Sequence, residues 1–123
     1  MTPANRLRAL LAEPGLLVMP GCFDALSSKL IADSGYPIGF MSGFSVSAAR
    51  LGMPDTGLIS FGEMLDSLRS VTAAAPNVAI LADGDTGYGN ALNVQRTVRD
   101  YARAGAACVM RSEERRVGKE CRL

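Results

Sequence analysis

The sequence contains no histidine at all. That removes His-based triads, His-ligated zinc and His general bases from this stretch. Cysteine is scarce: Cys22, Cys108 and Cys121 are odd in number, far apart and form no CxxC pair. Neither a disulfide framework nor a zinc site is expected, and a reducing, cytoplasmic setting fits best. Charge of one sign is missing too. The formal net charge is +1 over 123 residues, so no field points to nucleic acid or to an acidic partner. No apolar run approaches the roughly 18 residues of a membrane helix, so no membrane partner is expected. The opening MTPANRLRALLAEPG has only a short apolar run, broken by Arg8, Glu13 and Pro14, and does not read as a signal peptide. What is present is ordinary globular material, 48% hydrophobic and 20% charged, with the length of about one small domain.

Short apolar runs alternate with helical patterns. Leu7, Leu10 and Leu11 sit at helical spacing and Pro14-Gly15 stops them. Leu16 to Met19 reads as a buried strand closed by Pro20-Gly21. Asp24 is a candidate cap for a helix with the stripe Leu26, Leu30 and Ile31, ended by Gly35 and Pro37. Ile38 to Met41 is a second strand, closed by Ser42-Gly43, and a looser segment follows it. Ser60-Phe61-Gly62-Glu63 is a capping box ahead of the stripe Phe61, Met64, Leu65, Leu68 and Val71. Val78 to Ala82 is a third strand that runs into DGDTGYGN. Asn90 can cap the next helix, with the stripe Val94, Val98, Tyr101 and Ala102, and Ala106 to Met110 opens a fourth strand. This order predicts an α/β fold with a parallel sheet covered by helices, either open and doubly wound or a piece of a closed eight-stranded barrel. In both, ligands meet the C-terminal ends of the strands.

The last stretch, RSEERRVGKECRL, has no apolar periodicity and interrupts a strand that has just begun. A solvated charged tail is the ordinary reading. The string also resembles the in-frame translation of a common short-read sequencing adapter, so residues 111–123 are expected to be non-native. Without them the net charge becomes −1 and Cys121 disappears.

Asp83 and Asp85 stand two apart where the third strand ends. Alternate residues of a strand share a face, so both carboxylates could converge. Two nearby carboxylates repel unless a cation or a proton lies between them, and magnesium is commonly held by one or two carboxylates plus water. A turn-capping role for Asp85 remains equally open on spacing alone. Thr86-Gly87-Tyr88-Gly89-Asn90 offers a turn and a helix N-terminus but matches neither phosphate-loop pattern. Ser42-Gly43 could present backbone amides to a carboxylate. Asp55, in LGMPDTG, is either a turn residue or a loop residue that reaches the site. Cys22 and Cys108 read as small buried hydrophobes, because nothing nearby would activate them.

Together PGCFDALSSKLIADSGYPIGFMSGFSVSA, LGMPDTGLIS and LADGDTGYGNALNVQRTVRDYARAGAACVM resemble the isocitrate lyase / phosphoenolpyruvate mutase superfamily, in its short-chain, methylisocitrate lyase-like branch. The likeness runs from Leu16 to Met110, and DGDTGYGN is its most specific block, although Gly84 stands where alanine is frequent. The resemblance implies the N-terminal half of a (β/α)8 barrel, about four βα units over residues 1–110. It implies Mg2+ at Asp83 with Asp85 in support, partly through water. It further implies Ser42 and Gly43 as backbone ligands of the substrate carboxylate, and Asp55 in catalysis or metal hydration.

The activity implied is a Mg2+-dependent lyase that cleaves a C–C bond in a small 2-hydroxy di- or tricarboxylate, methylisocitrate- or dimethylmalate-like, and leaves a 2-oxo acid. Alternatives are a phosphoenolpyruvate mutase-type phosphonate enzyme or an oxaloacetate decarboxylase. A further alternative is that the 123-residue chain is inactive by itself, since such a barrel takes about 250 residues. The family's Glu-Asp pair, its gating loop with a KxCGH-like motif and its later Arg and His residues do not occur in this stretch, and those residues separate the activities. Relatives of this type imply a homo-oligomeric parent, commonly a tetramer.

Overall fold

The computed structural model describes residues 1–111; the charged run expected to be non-native lies outside them from residue 112 onward. The elements in chain order are helix α1 (Pro3–Ala12), strand β1 (Gly21–Cys22), helix α2 (Ala25–Asp33), strand β2 (Ile38–Met41), helices α3 (Gly43–Leu51) and α4 (Phe61–Ala74), strand β3 (Ala79–Asp83), helix α5 (Ala91–Arg103) and strand β4 (Cys108–Met110). The four strands form one parallel sheet in the order β1-β2-β3-β4. A doubly wound sheet reverses its strand order at a switch point, whereas a barrel adds each strand beside the last. The consecutive order therefore selects the barrel architecture.

Local chemistry sets the boundaries. Thr2 caps α1 through its hydroxyl, which accepts from the Asn5 amide at 3.2 Å, and Pro3 occupies the first turn, where no amide hydrogen is needed. Asp24 with Ser27, Ser60 with Glu63, and Asn90 with Asn93 each close a reciprocal capping box at the starts of α2, α4 and α5. Two of the strand ends, those of β1 and β3, thus lead into helices with capping boxes, and the third box starts α4 after α3.

The first strand departs from expectation. Leu16 to Met19 does not pair; Leu16 is 92% exposed and Val18 is also exposed. Gly21 lies opposite Phe40, so Leu16 to Val18 fall opposite the turn that ends α2, where no strand exists to pair with them. Pro20 adds no donor; it contributes its carbonyl, which accepts from Phe40 N at 2.9 Å. Pairing starts only at Gly21.

The helix stripes also shift. In α2 the buried residues are Ser28 and Ile31, while Leu26 and Leu30 stay exposed. Serine permits close approach, and the Ser28 hydroxyl donates to the Val71 carbonyl of α4 at 2.7 Å. In α5 the buried residues are Thr97 and Tyr101; Val98 and Ala102 are exposed. The stripe of α4 holds as expected at Met64, Leu65, Leu68 and Val71, with Phe61 half-buried. The segment after Ser42, expected to be loose, forms α3 and ends on left-handed Gly52.

The larger core joins Met41, Ile80 and Ala82 of the sheet to Ile31, Val46, Met64, Leu68, Val71 and Tyr101 of the helices. A smaller cluster packs Leu7 of α1 on Ile38, Ala79 and Ala107, at the starts of the strands. One end of the sheet is thereby covered by α1, and the other end carries the polar residues. Cys22 is fully buried, and burial with the Asp24 charge pushes its thiol up to about 11. That matches a packing role.

Candidate active site

Met41 lies opposite Ala82 in the β2–β3 register, so Ser42 and Gly43 come level with Asp83 where both strands end. Ser42 is the N-cap of α3 but makes no side-chain capping bond. The cap comes from across the sheet: the Gly43 amide donates to Asp83 Oδ2 at 3.0 Å. Asp83 Oδ1 accepts the Asp85 amide, also at 3.0 Å. A carboxylate at a helix N-terminus is favoured by the free amides and the helix dipole. Each oxygen keeps a second lone pair for another partner.

β3 ends at Asp83, so strand alternation does not bring Asp85 to the site. A turn does. Asp85 adopts a left-handed backbone, φ +44°, and swings its carboxylate back toward Asp83. Gly43 marks the point of convergence. A Cβ at that residue would stand 3.0 Å from Asp83 Oδ2 and 3.0 Å from Asp85 Oδ1. Glycine is favoured there by close approach rather than by its backbone angle.

Electrostatics reports the same crowding. The Asp85 carboxyl is raised from 3.8 to about 6 by burial first, then by the charges of Asp83 and Asp55, and a hydrogen bond with Asp83 raises it further; a hydrogen bond from Tyr88 opposes them. Asp55, in the exposed segment between α3 and α4, is therefore within electrostatic reach of the pair. The structure brings together four of the expected residues, Ser42, Gly43, Asp83 and Asp85, with Asp55 beside them. The Gly43 amide, expected to face a substrate carboxylate, is here bonded to Asp83.

The turn is held from behind by residues that sequence reasoning assigned to packing or passed over. The Tyr101 hydroxyl donates to the Asp83 carbonyl at 3.1 Å and lies 3.4 Å from the Tyr88 hydroxyl. The Thr97 hydroxyl donates to the Gly87 carbonyl at 3.0 Å. The Gly84 amide donates to the Met110 carbonyl at 2.8 Å. At Gly84, a Cβ would meet Val109 Cγ1 at 2.9 Å, so alanine at this residue requires Val109 to move. Tyr101 carried a usable signal: a buried tyrosine must place its hydroxyl on a partner.

Among the described residues, no three His, Cys, Asp or Glu side chains gather into a cation cage. A pair of convergent carboxylates is the donor type that a hard divalent cation of the magnesium type takes. The pair fits such an ion in donor type and in the closeness of its two oxygens to Gly43. A cavity of about 600 Å³ lined by Arg69, Thr72, Asp100 and Arg103 lies at the opposite end of the strands and is remote from this chemistry.

The phosphoenolpyruvate phosphomutase family model matches residues 7–120. The chain belongs to that family. It is 52% identical over 103 residues to the chloroplastic carboxyvinyl-carboxyphosphonate phosphorylmutase of Arabidopsis thaliana, covering 84% of this chain and 30% of the relative. It is 41% identical over 121 residues to 2,3-dimethylmalate lyase of Eubacterium barkeri, covering 98% of this chain and 41% of the relative. Among solved structures, oxaloacetate acetylhydrolase superposes with a TM-score of 0.82 at 35% identity, over 88% of this chain and 39% of that one. Phosphonopyruvate hydrolase in complex with oxalate and Mg2+ superposes with a TM-score of 0.81 at 33% identity, over 89% of this chain and 38% of that one. The chain spans between 30% and 41% of the length of these proteins. Its fold is an N-terminal portion of the (β/α)8 barrel of the isocitrate lyase/phosphoenolpyruvate mutase superfamily, in which the matched proteins include lyases, mutases and hydrolases.

Proposed function

We propose that this phosphomutase-family chain is the N-terminal part of a Mg2+-dependent enzyme. The whole enzyme cleaves a C–C bond in a small 2-hydroxy di- or tricarboxylate, methylisocitrate- or dimethylmalate-like, and releases a 2-oxo acid. The observation that carries this reading is the convergence of Asp83 Oδ2 and Asp85 Oδ1 on one point beside Gly43, at the C-terminal ends of two parallel strands.

In the reaction the substrate's 2-hydroxyl gives up its proton and the C2–C3 bond breaks. C2 becomes the carbonyl of the 2-oxo acid. The electron pair left on C3 is spread into the neighbouring carboxylate until a proton arrives. A bound divalent cation supplies the Lewis acidity that steadies negative charge on the oxygens of such substrates. The chain's own residues orient the parts. Asp83 would hold the ion, with Asp85 in support. The α3 N-terminus at Ser42 and Gly43 would receive the substrate carboxylate when the Gly43 amide exchanges Asp83 Oδ2 for it. Asp55, on its exposed segment, orders water at the ion or takes part in proton transfer.

A phosphoenolpyruvate mutase-type phosphonate enzyme is the second reading, favoured by the 52% identity to a phosphorylmutase; oxaloacetate decarboxylase, at 41% identity over 103 residues, is a third. The residues that choose among them belong to later barrel strands. We also infer a cytoplasmic homo-oligomer, a tetramer, for the whole enzyme.

The test is turnover of the whole enzyme with 2,3-dimethylmalate, methylisocitrate, oxaloacetate and phosphonopyruvate, each with Mg2+ and with excess chelator. The proposal expects metal-dependent release of a 2-oxo acid from one of the two hydroxy acids, abolished by Asp83→Ala in a protein that still melts cooperatively. Turnover that survives chelation or that substitution refutes the metal assignment. Turnover of phosphonopyruvate or oxaloacetate alone replaces the lyase reading with the second or third.

A further inference from the structure

Two non-glycine residues in the turn after β3 have left-handed backbones, Asp85 at φ +44° and Tyr88 at φ +64°. Such angles cost energy and persist where surrounding contacts enforce them. Tyr101, fully buried on α5, reaches the Asp83 carbonyl with its hydroxyl. The Tyr88 hydroxyl bonds the Asp85 carboxylate, and the two phenol oxygens lie 3.4 Å apart.

Each hydroxyl has one proton to give. That of Tyr101 goes to the carbonyl at 3.1 Å, the shorter of its two contacts; that of Tyr88 goes to the charged acceptor. An ordinary phenol keeps its proton at neutral pH, so both hydroxyls can donate. The rings are fixed by Phe61, whose centroid is 5.8 Å from Tyr88 and 6.1 Å from Tyr101. The Arg96 guanidinium covers the Phe61 ring at 5.2 Å. Helices α4 and α5 are thus connected through aromatic packing to the backbone of one acidic residue and the carboxylate of the other.

We propose that Tyr88 and Tyr101 are positioning residues, a paired hydroxyl clamp that sets the separation of Asp83 and Asp85 and so the affinity of the site for a divalent cation. The clamp rests on the cation reading above. Each acts through the aspartate it holds. Groups that orient ligands in this way commonly change metal affinity by about 10- to 100-fold when removed.

The experiment uses the whole enzyme with Tyr88→Phe, Tyr101→Phe and the double variant, which keep the rings and remove only the hydroxyls. Free Mn2+ is followed by electron paramagnetic resonance during titration, beside thermal melts and kcat/KM at several Mn2+ concentrations. Each single variant is expected to bind Mn2+ about 10-fold more weakly, with kcat/KM restored by raising Mn2+. The double variant is expected to lose less than the product of the single losses, because the two hydroxyls act on one turn. Unchanged Mn2+ affinity in both single variants overturns the clamp while wild-type binding leaves the cation reading standing. A lowered Tm with no rescue by Mn2+ assigns the hydroxyls to folding alone and also overturns it. Failure of the wild type itself to bind Mn2+ overturns the cation reading and the clamp together.

Discussion

A methyl group at residue 43 would stand 3.0 Å from an oxygen of each acidic side chain. Gly43→Ala must therefore push the carboxylates apart or shift α3. We predict at least a ~10-fold loss of Mn2+ affinity in the whole enzyme, the range for disturbing a ligand's support, with the fold retained by circular dichroism. Wild-type affinity in that variant would show that the space is not used. Asp85 provides a second test at this scale. Its carboxyl, raised to about 6, binds a proton more tightly in the folded chain than in the unfolded one. In the metal-free protein its contribution to stability is greatest below pH 4 and is lost as pH rises through about 6. A cation competes with that proton. Mn2+ affinity is expected to fall by about a decade per pH unit below 6 and to level off above it. Asp85→Asn should flatten this profile; an equally steep profile in that variant would place the titrating group elsewhere.

At the scale of elements, the turn between β3 and α5 depends on caps and clamps. Thr97→Val leaves the Gly87 carbonyl without its side-chain donor inside a buried site. Loss of such a bond costs about 1–3 kcal/mol, and a urea melt of the whole enzyme should register it; a change below about 0.5 kcal/mol, the ordinary range for surface substitutions, would contradict the assignment. The elements also show what a sequence can and cannot reveal. Strand β2, the capping box of α4 and the Asn90 cap of α5 were legible because they depend on neighbours in the chain: Ser60 meets Glu63, and Asn90 sits beside its own helix. The strand placed at Leu16–Met19 was not, because pairing depends on what lies opposite, and there it is a turn. The outward Leu26 and Leu30 were read as core because periodicity locates a stripe without saying what covers it. At the site, Asp83 and Asp85 were legible from position. Their convergence through a left-handed turn at Asp85, and the support from Tyr101, were not, since both depend on contacts between separate elements.

For the whole molecule, the sheet described has free edges at β1 and β4, and exposed apolar side chains at Leu16, Leu26, Leu30 and Phe44. Unpaired parallel edges template aggregation. The 123-residue chain expressed by itself is expected to be insoluble or molten and to turn over no substrate with Mg2+; a cooperative melt with measurable C–C cleavage would contradict this. We propose that the run RSEERRVGKECRL is not native. The family match extends to residue 120, so resequencing the source DNA decides: a different continuation after Met110, with an acidic pair near its start, supports the proposal, and an unchanged one refutes it. The central claim is that Asp83 and Asp85 hold one divalent cation beside Gly43, and anomalous scattering from crystals of the whole enzyme soaked in Mn2+ tests it most directly. The account predicts an anomalous peak in the space bounded by Asp83, Asp85 and the start of α3. A peak elsewhere, or no peak with Asp83 still bonded only to the Gly43 and Asp85 amides, would contradict it.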